Sequence, residues 1–152
     1  MKIILDDALD SSLGDELKIY LLEQVGINNV NYTIIDKSFI TELIIEFNNQ
    51  TSPITIMKYI DAFQKYDSSV MLGFDKETNN KCKKLKYIVE DMCCEYCYKE
   101  LVKKLFENNN IKSVKSNFEF HKPAFNIEFT VEYNQNCEEH EIIKYINNKL
   151  NN

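Results

Sequence analysis

The chain repeats itself, and the repeat sets the size and order of anything it can fold into. Ile4-Leu5-Asp6-Asp7 matches Ile88-Val89-Glu90-Asp91, 84 residues further on. Without a gap, the same offset lays Glu16-Leu17 on Glu100-Leu101, Leu21 on Leu105, Ile27 on Ile111 and Val30 on Val114. After a two-residue insertion the offset is 86, and Ile45-Glu46-Phe47-Asn48 meets Val131-Glu132-Tyr133-Asn134. Lys58-Tyr59-Ile60 then meets Lys144-Tyr145-Ile146. Matches in this number and order predict two copies of one small domain, which 152 residues can accommodate.

Each copy reads strand, helix, strand, strand, helix. In the first, residues 2–6 form a strand and 12–24 a helix with Leu17 and Leu21 on its buried side. Tyr32 and Ile34 alternate in a second strand, and Leu43, Ile45 and Phe47 in a third. Pro53 suits the start of the next helix, striped by Met57, Ile60 and Phe63, and residues 70–74 form a fourth strand. In the second copy Leu85, Tyr87 and Val89 alternate, and Leu101, Val102, Leu105 and Phe106 recur at helical spacing. Phe118 and Phe120 follow as a strand, then Ile127, Phe129, Val131 and Tyr133, then a helix with Ile142, Ile143 and Ile146. Gly26 and its counterpart Asn110 each follow a helix and predict a positive-φ cap.

The order βαββαβ predicts an α+β protein of two tandem ferredoxin-like sandwiches. The expected boundaries are 1–77 for the first domain, 78–84 for a linker and 85–152 for the second. The second copy stops before the counterpart of Val70, so it is expected to lack its fourth strand. In the strand order 4-1-3-2 this leaves its first strand, around 85–90, as an open edge. The first copy or a second chain, as in a homodimer, is expected to cover it.

Composition narrows the function. With 44% apolar and 28% charged residues the chain is a folded globular protein. No apolar run approaches a membrane span and no secretory leader is evident, so the expected compartment is the cytoplasm, where thiols stay reduced. Net charge is −7 over residues 1–80 and +1 over 81–152. All 18 basic residues are lysine, and without arginine to read bases or clamp phosphates nucleic acid is not an expected partner. Neither a nucleophile–base arrangement nor a glycine-rich phosphate loop is present, so no enzymatic activity is expected.

Met92-Cys93-Cys94-Glu95-Tyr96-Cys97 holds three of the five cysteines where a strand gives way to a helix. Cys94 falls in the loop and Cys97 in the first helical turn. Thiols so spaced converge near free backbone N–H groups and the positive end of the helix dipole. That setting favours thiolate, the form that binds soft metals or attacks disulfides. Adjacent side chains point apart on most backbones, so Cys93 is at most an accessory ligand.

Met92-x-Cys94-x-x-Cys97 at the end of the first strand of such a unit resembles the heavy-metal-associated domain family, which includes copper chaperones and the soluble modules of metal-transporting ATPases. The resemblance covers roughly residues 85–150. It implies that Cys94 and Cys97 bind a soft cation such as Cu(I), with Met92 as a buried prop beneath the loop. It also implies, as partner, a metal-transporting ATPase or another metal-receiving protein. Where the family commonly has glycine before the Met, this chain has Asp91. The first copy has Ala8, Asp10 and Leu13 where the second has Met92, Cys94 and Cys97.

Physical chemistry supports the same order of metals. Cu(I) accepts two thiolates, whereas Zn(II) or Cd(II) would need supplements from Cys93, Asp91 or Glu95. The bland alternative is a pair of small buried cysteines. A thioredoxin-type dithiol is a further one, although the chain has no Trp and its prolines, Pro53 and Pro123, fall elsewhere. A third alternative is an interaction module that works through its open edge. Cys82, Cys137 and His140 fall at the opposite end of the second sheet as a candidate second metal site or a disulfide, for which incidental loop residues are the plainer reading. His121, beside Pro123, is expected to face solvent.

Overall fold

A computed structural model describes residues 1–6, 11–35, 40–63, 71–76, 81–119 and 126–151. Among them are seven strands and four helices, and the chain divides into two compact units, Met1–Met71 and Leu72–Asn152. No helix among the described residues is long and apolar enough to cross a membrane.

The first unit runs β1 (Lys2–Asp6), α1 (Ser11–Leu22), β2 (Ile27–Ile35), β3 (Ile40–Phe47) and α2 (Pro53–Ala62). β3 pairs antiparallel with both β1 and β2, giving the order β2-β3-β1. Period-two alternation buries Ile3 and Leu5 of β1 and Leu43 and Ile45 of β3, while α1 packs on β2 and buries Leu17 and Leu21. Ser52 caps α2 by accepting the Thr55 N–H at 3.2 Å, and Pro53 takes the first helical position, where no N–H is required. Gly26 has φ +88°, and a Cβ there would meet Thr51 Oγ1 at 1.8 Å, so only glycine fits. Asn110 does not share that conformation. Its N–H instead donates to the Asn108 side-chain oxygen at 2.9 Å, an Asx-type turn.

The second unit takes β4 (Met71–Asp75) from Leu72 onward, then β5 (Cys82–Glu90), α3 (Glu95–Glu107), β6 (Ile111–Ser116), β7 (Asn126–Asn134) and α4 (Glu139–Leu150). All pairings are antiparallel: β7 lies between β5 and β6, and β4 joins β6 through Phe74–Val114 and Asp75–Ser113. The order is β4-β6-β7-β5. Ile127, Phe129, Val131 and Tyr133 of β7 are buried, and α3 packs on β6 and α4.

Several expectations are corrected here. The strand expected over 70–74 in the first copy begins at Met71, Val70 lying outside the described residues, and it belongs almost wholly to the second unit. That unit therefore counts four strands, but β4 lies beside β6; among the described residues no strand other than β7 lies beside β5, where the copy's own fourth strand is expected to be missing. Backbone and side-chain contacts that no periodicity encodes hold β4 there, beside β6. The Lys76 N–H donates to Lys112 O at 2.8 Å. Lys76 Nζ donates to Phe106 O, an orphan carbonyl in the last turn of α3, and, at 3.0 Å, to Asn108 O just past it, which also accepts the Ile111 N–H. The same ammonium lies 4.5 Å from the Phe106 ring centroid, and that ring meets Phe74 edge-on at 4.9 Å. β4 joins the edge opposite β5 and so leaves β5 as the end strand. Cys82, Lys83 and Lys84, expected in a linker, open β5. The strand expected through Phe118 and Phe120 ends at Ser116; Phe118 stacks on Tyr98 instead, and Phe120 is outside the described residues.

Candidate metal centre

The thiol loop is built by the way α3 starts. Cys94 is its N-cap, in extended backbone, Glu95 opens the helix, and Cys97 is the third helical residue. An N-cap side chain lies over the amides of the first turn, and the residue before the cap folds back over the same turn, as in a hydrophobic staple. Cys93 holds that preceding position. Its sulfur is 2.8 Å from Cys97 Sγ and 3.8 Å from Cys94 Sγ, and Cys94 Sγ is 3.4 Å from Cys97 Sγ. Cys93 therefore faces the pair and does not point away. The neighbour rule holds for a regular strand, but the chain here is entering a helix.

Asp91 makes the turn out of β5 at φ +54°, in the left-handed region that aspartate tolerates better than most residues. Met92 is half-buried, not the fully buried prop expected. On the far side Tyr98, the residue after Cys97, is fully buried. Its hydroxyl donates to Leu72 O at 2.6 Å and accepts from Ser116 Oγ at 2.7 Å, while its ring stacks on Phe118 and Phe129. Burial pushes the phenol up to about 12. Tyr98 thus ties the first turn of α3, and Cys97 with it, to the core.

Electrostatics separate the thiols. The Cys97 backbone N–H foremost, then its side chain, holds the Cys94 thiol below its ordinary value. Hydrogen bonding to the sulfurs of Cys93 and Cys94, foremost Cys93, pushes Cys97 up to about 12. Cys93 and Cys94 are exposed and Cys97 is half-buried, so an ion or a partner thiol can reach all three. Such a cluster can bind a thiophilic cation with loss of thiol protons, and an exposed one can hand it on.

Among the described residues, Cys93, Cys94 and Cys97 are the one group of His, Cys, Asp or Glu placed to hold a metal. Cys82 sits opposite Asn134 at the start of β5, and the Cys137 N–H donates to Asn134 O at 3.0 Å, so these two share one end of the sheet. With the exposed His140 they do not converge into a ligand set. His121, Ala8 and Asp10 lie outside the described residues.

No protein-family model matches the chain, and no curated protein matches it. Comparison with solved structures returns the N-terminal soluble domains of CopA from Bacillus subtilis, determined in solution. That structure is 16% identical over 97% of this chain and 88% of its own, with a TM-score of 0.36.

Proposed function

We infer that this chain binds a soft metal ion through the thiols that open α3. Cys94 and Cys97 are the principal ligands, and Cu(I) is the ion before Zn(II) or Cd(II). The observation that carries this reading is the approach of the sulfurs to within 4 Å of one another on an accessible helix N-terminus. On this reading the protein is two heavy-metal-associated-like domains in tandem, of which only the second keeps its cysteines. It acts in metal trafficking or sensing in the cytoplasm, without enzymatic activity, and passes its ion to a metal-transporting ATPase or another receiving protein. The test is a Cu(I) titration in reducing buffer against a competing chelator. Cys94→Ser/Cys97→Ser should lose binding, and an unchanged affinity would sink the reading.

A second reading is favoured by β5, which ends its sheet and leaves Ile88 57% exposed. On that reading the second unit is an interaction module that pairs its edge with another chain, a second copy included. A chain that ignores Cu(I) yet dimerises, and loses the dimer on Ile88→Lys, would support it.

A further inference from the structure

We propose that Cys93 is a third ligand, and that the three sulfurs form a bowl fitted to thiophilic ions that bond pyramidally to three thiolates, the chemistry of trivalent arsenic. This deepens the metal-binding reading above and rests on it. The geometry is specific. The separations of 2.8, 3.4 and 3.8 Å place the sulfurs on a circle of about 2.0 Å radius. An ion with sulfur bonds of about 2.3 Å cannot lie in the plane of so small a triangle. It sits above the plane, on the open side, with three bonds to one hemisphere. A linear two-coordinate ion uses only two of these sulfurs and leaves the third, the closest neighbour of Cys97, without a role.

Charge points the same way. Residues 91–97 include Asp91 and Glu95 and no basic residue. Three thiolates bring three negative charges into this acidic loop, and a trivalent centre cancels all of them where a monovalent one cancels a single charge. The reaction is a ligand exchange without redox change. Arsenous acid, As(OH)3, forms three As–S bonds and breaks three As–O bonds, and each thiol proton leaves with a hydroxyl as water.

The test uses the full chain in a thiol-free reductant, with sodium arsenite as the probe. Binding is followed by ultraviolet sulfur-to-arsenic absorbance, and the remaining thiols are counted by titration. The wild type should take one arsenic and lose three of its five titratable thiols. Cys93→Ser should lose only two, and its arsenite affinity should fall by more than about tenfold, since even groups behind a ligand are worth that factor. Equal affinity in Cys93→Ser, consumption of two thiols by the wild type, or no arsenite binding at all would each overturn the third ligand. Cu(I) titration of the same variant separates this from the underlying reading. If Cys93→Ser binds Cu(I) normally and Cys94→Ser/Cys97→Ser does not, that reading stands whatever arsenite does.

Discussion

Replacing Lys76 with methionine tests what holds β4 in the second unit. Lys76 is only 5% exposed, and burial, followed by the charge of Lys112, pushes its amine from 10.5 down to about 7. A fall of that size corresponds to roughly 5 kcal/mol of disfavour for the charged form. The carbonyls of Phe106 and Asn108 oppose it, because they accept more strongly from an ammonium than from an amine. Folded, the amine titrates near 7; unfolded, it titrates near 10.5. Between those values the unfolded chain holds more protons, so stability rises with pH. Below the folded value both states are charged and the penalty is fully present. Methionine keeps an unbranched stem against Phe74 and Phe106 and does not titrate.

The assay is urea unfolding in reducing buffer, followed by far-UV circular dichroism, for wild type and Lys76→Met across this range. Taking the difference between the two proteins cancels the titration of every other group. Wild type should gain at least about 2 kcal/mol on the variant between about pH 6.5 and 9.5, with an unchanged denaturant slope. A difference constant within about 0.5 kcal/mol, or one that shrinks as pH rises, would refute the assignment of Lys76 as a buried cation.

Substitutions at two further positions probe the framework of the thiol loop. Tyr98→Phe removes the hydroxyl shared by Leu72 O and Ser116 Oγ and should destabilise by about 1–3 kcal/mol, read as a fall in Tm of at least about 5 °C. Because the folded phenol titrates near 12 and the unfolded one near 10, wild type should also lose stability relative to Tyr98→Phe above pH 10. Asp91→Val puts a β-branched residue at φ +54° and should cost about 1–2 kcal/mol, whereas Asp91→Gly should be neutral or stabilising. Equal Tm values for Asp91→Val and wild type would mean that the turn does not use the left-handed region.

Elements with their own periodicity were legible in the sequence. β1, the alternation in β7 and the buried stripe of α3 all follow from apolar spacing, and Pro53 with Ser52 marks the start of α2. The convergence of Cys94 and Cys97 also follows from spacing, because a cap and the third helical residue share one turn. Cys93 was less legible, since its direction depends on how the chain enters α3 at Asp91 and not on its own neighbours. The pairing of β4 with β6 is hidden from the sequence for a related reason. The apolar run of β4 announces a strand, but its seat beside β6 is reinforced by Lys76 reaching carbonyls thirty and thirty-two residues ahead in sequence. Periodicity reports which face of an element is buried, not what buries it.

The two ends of α3 make opposite electrostatic demands, and the second unit meets both. At the N-terminus the amides of the first turn favour the Cys94 thiolate, and Cys93 and Cys97 lie beside it. At the C-terminus the dipole favours a cation, and Lys76 supplies one to its last carbonyls. The helix is fixed between Tyr98 at its start and Lys76 at its end, so the loop need not order itself when it meets an ion. The geometry that draws Cys93 to Cys97 is therefore a property of the folded unit, held by packing that an incoming metal does not have to create. An ion bound only by the folded form stabilises this unit by RT times the logarithm of one plus the ratio of free ion to Kd, and so more the tighter it binds. Metal affinity and the stability of α3 should then rise or fall together.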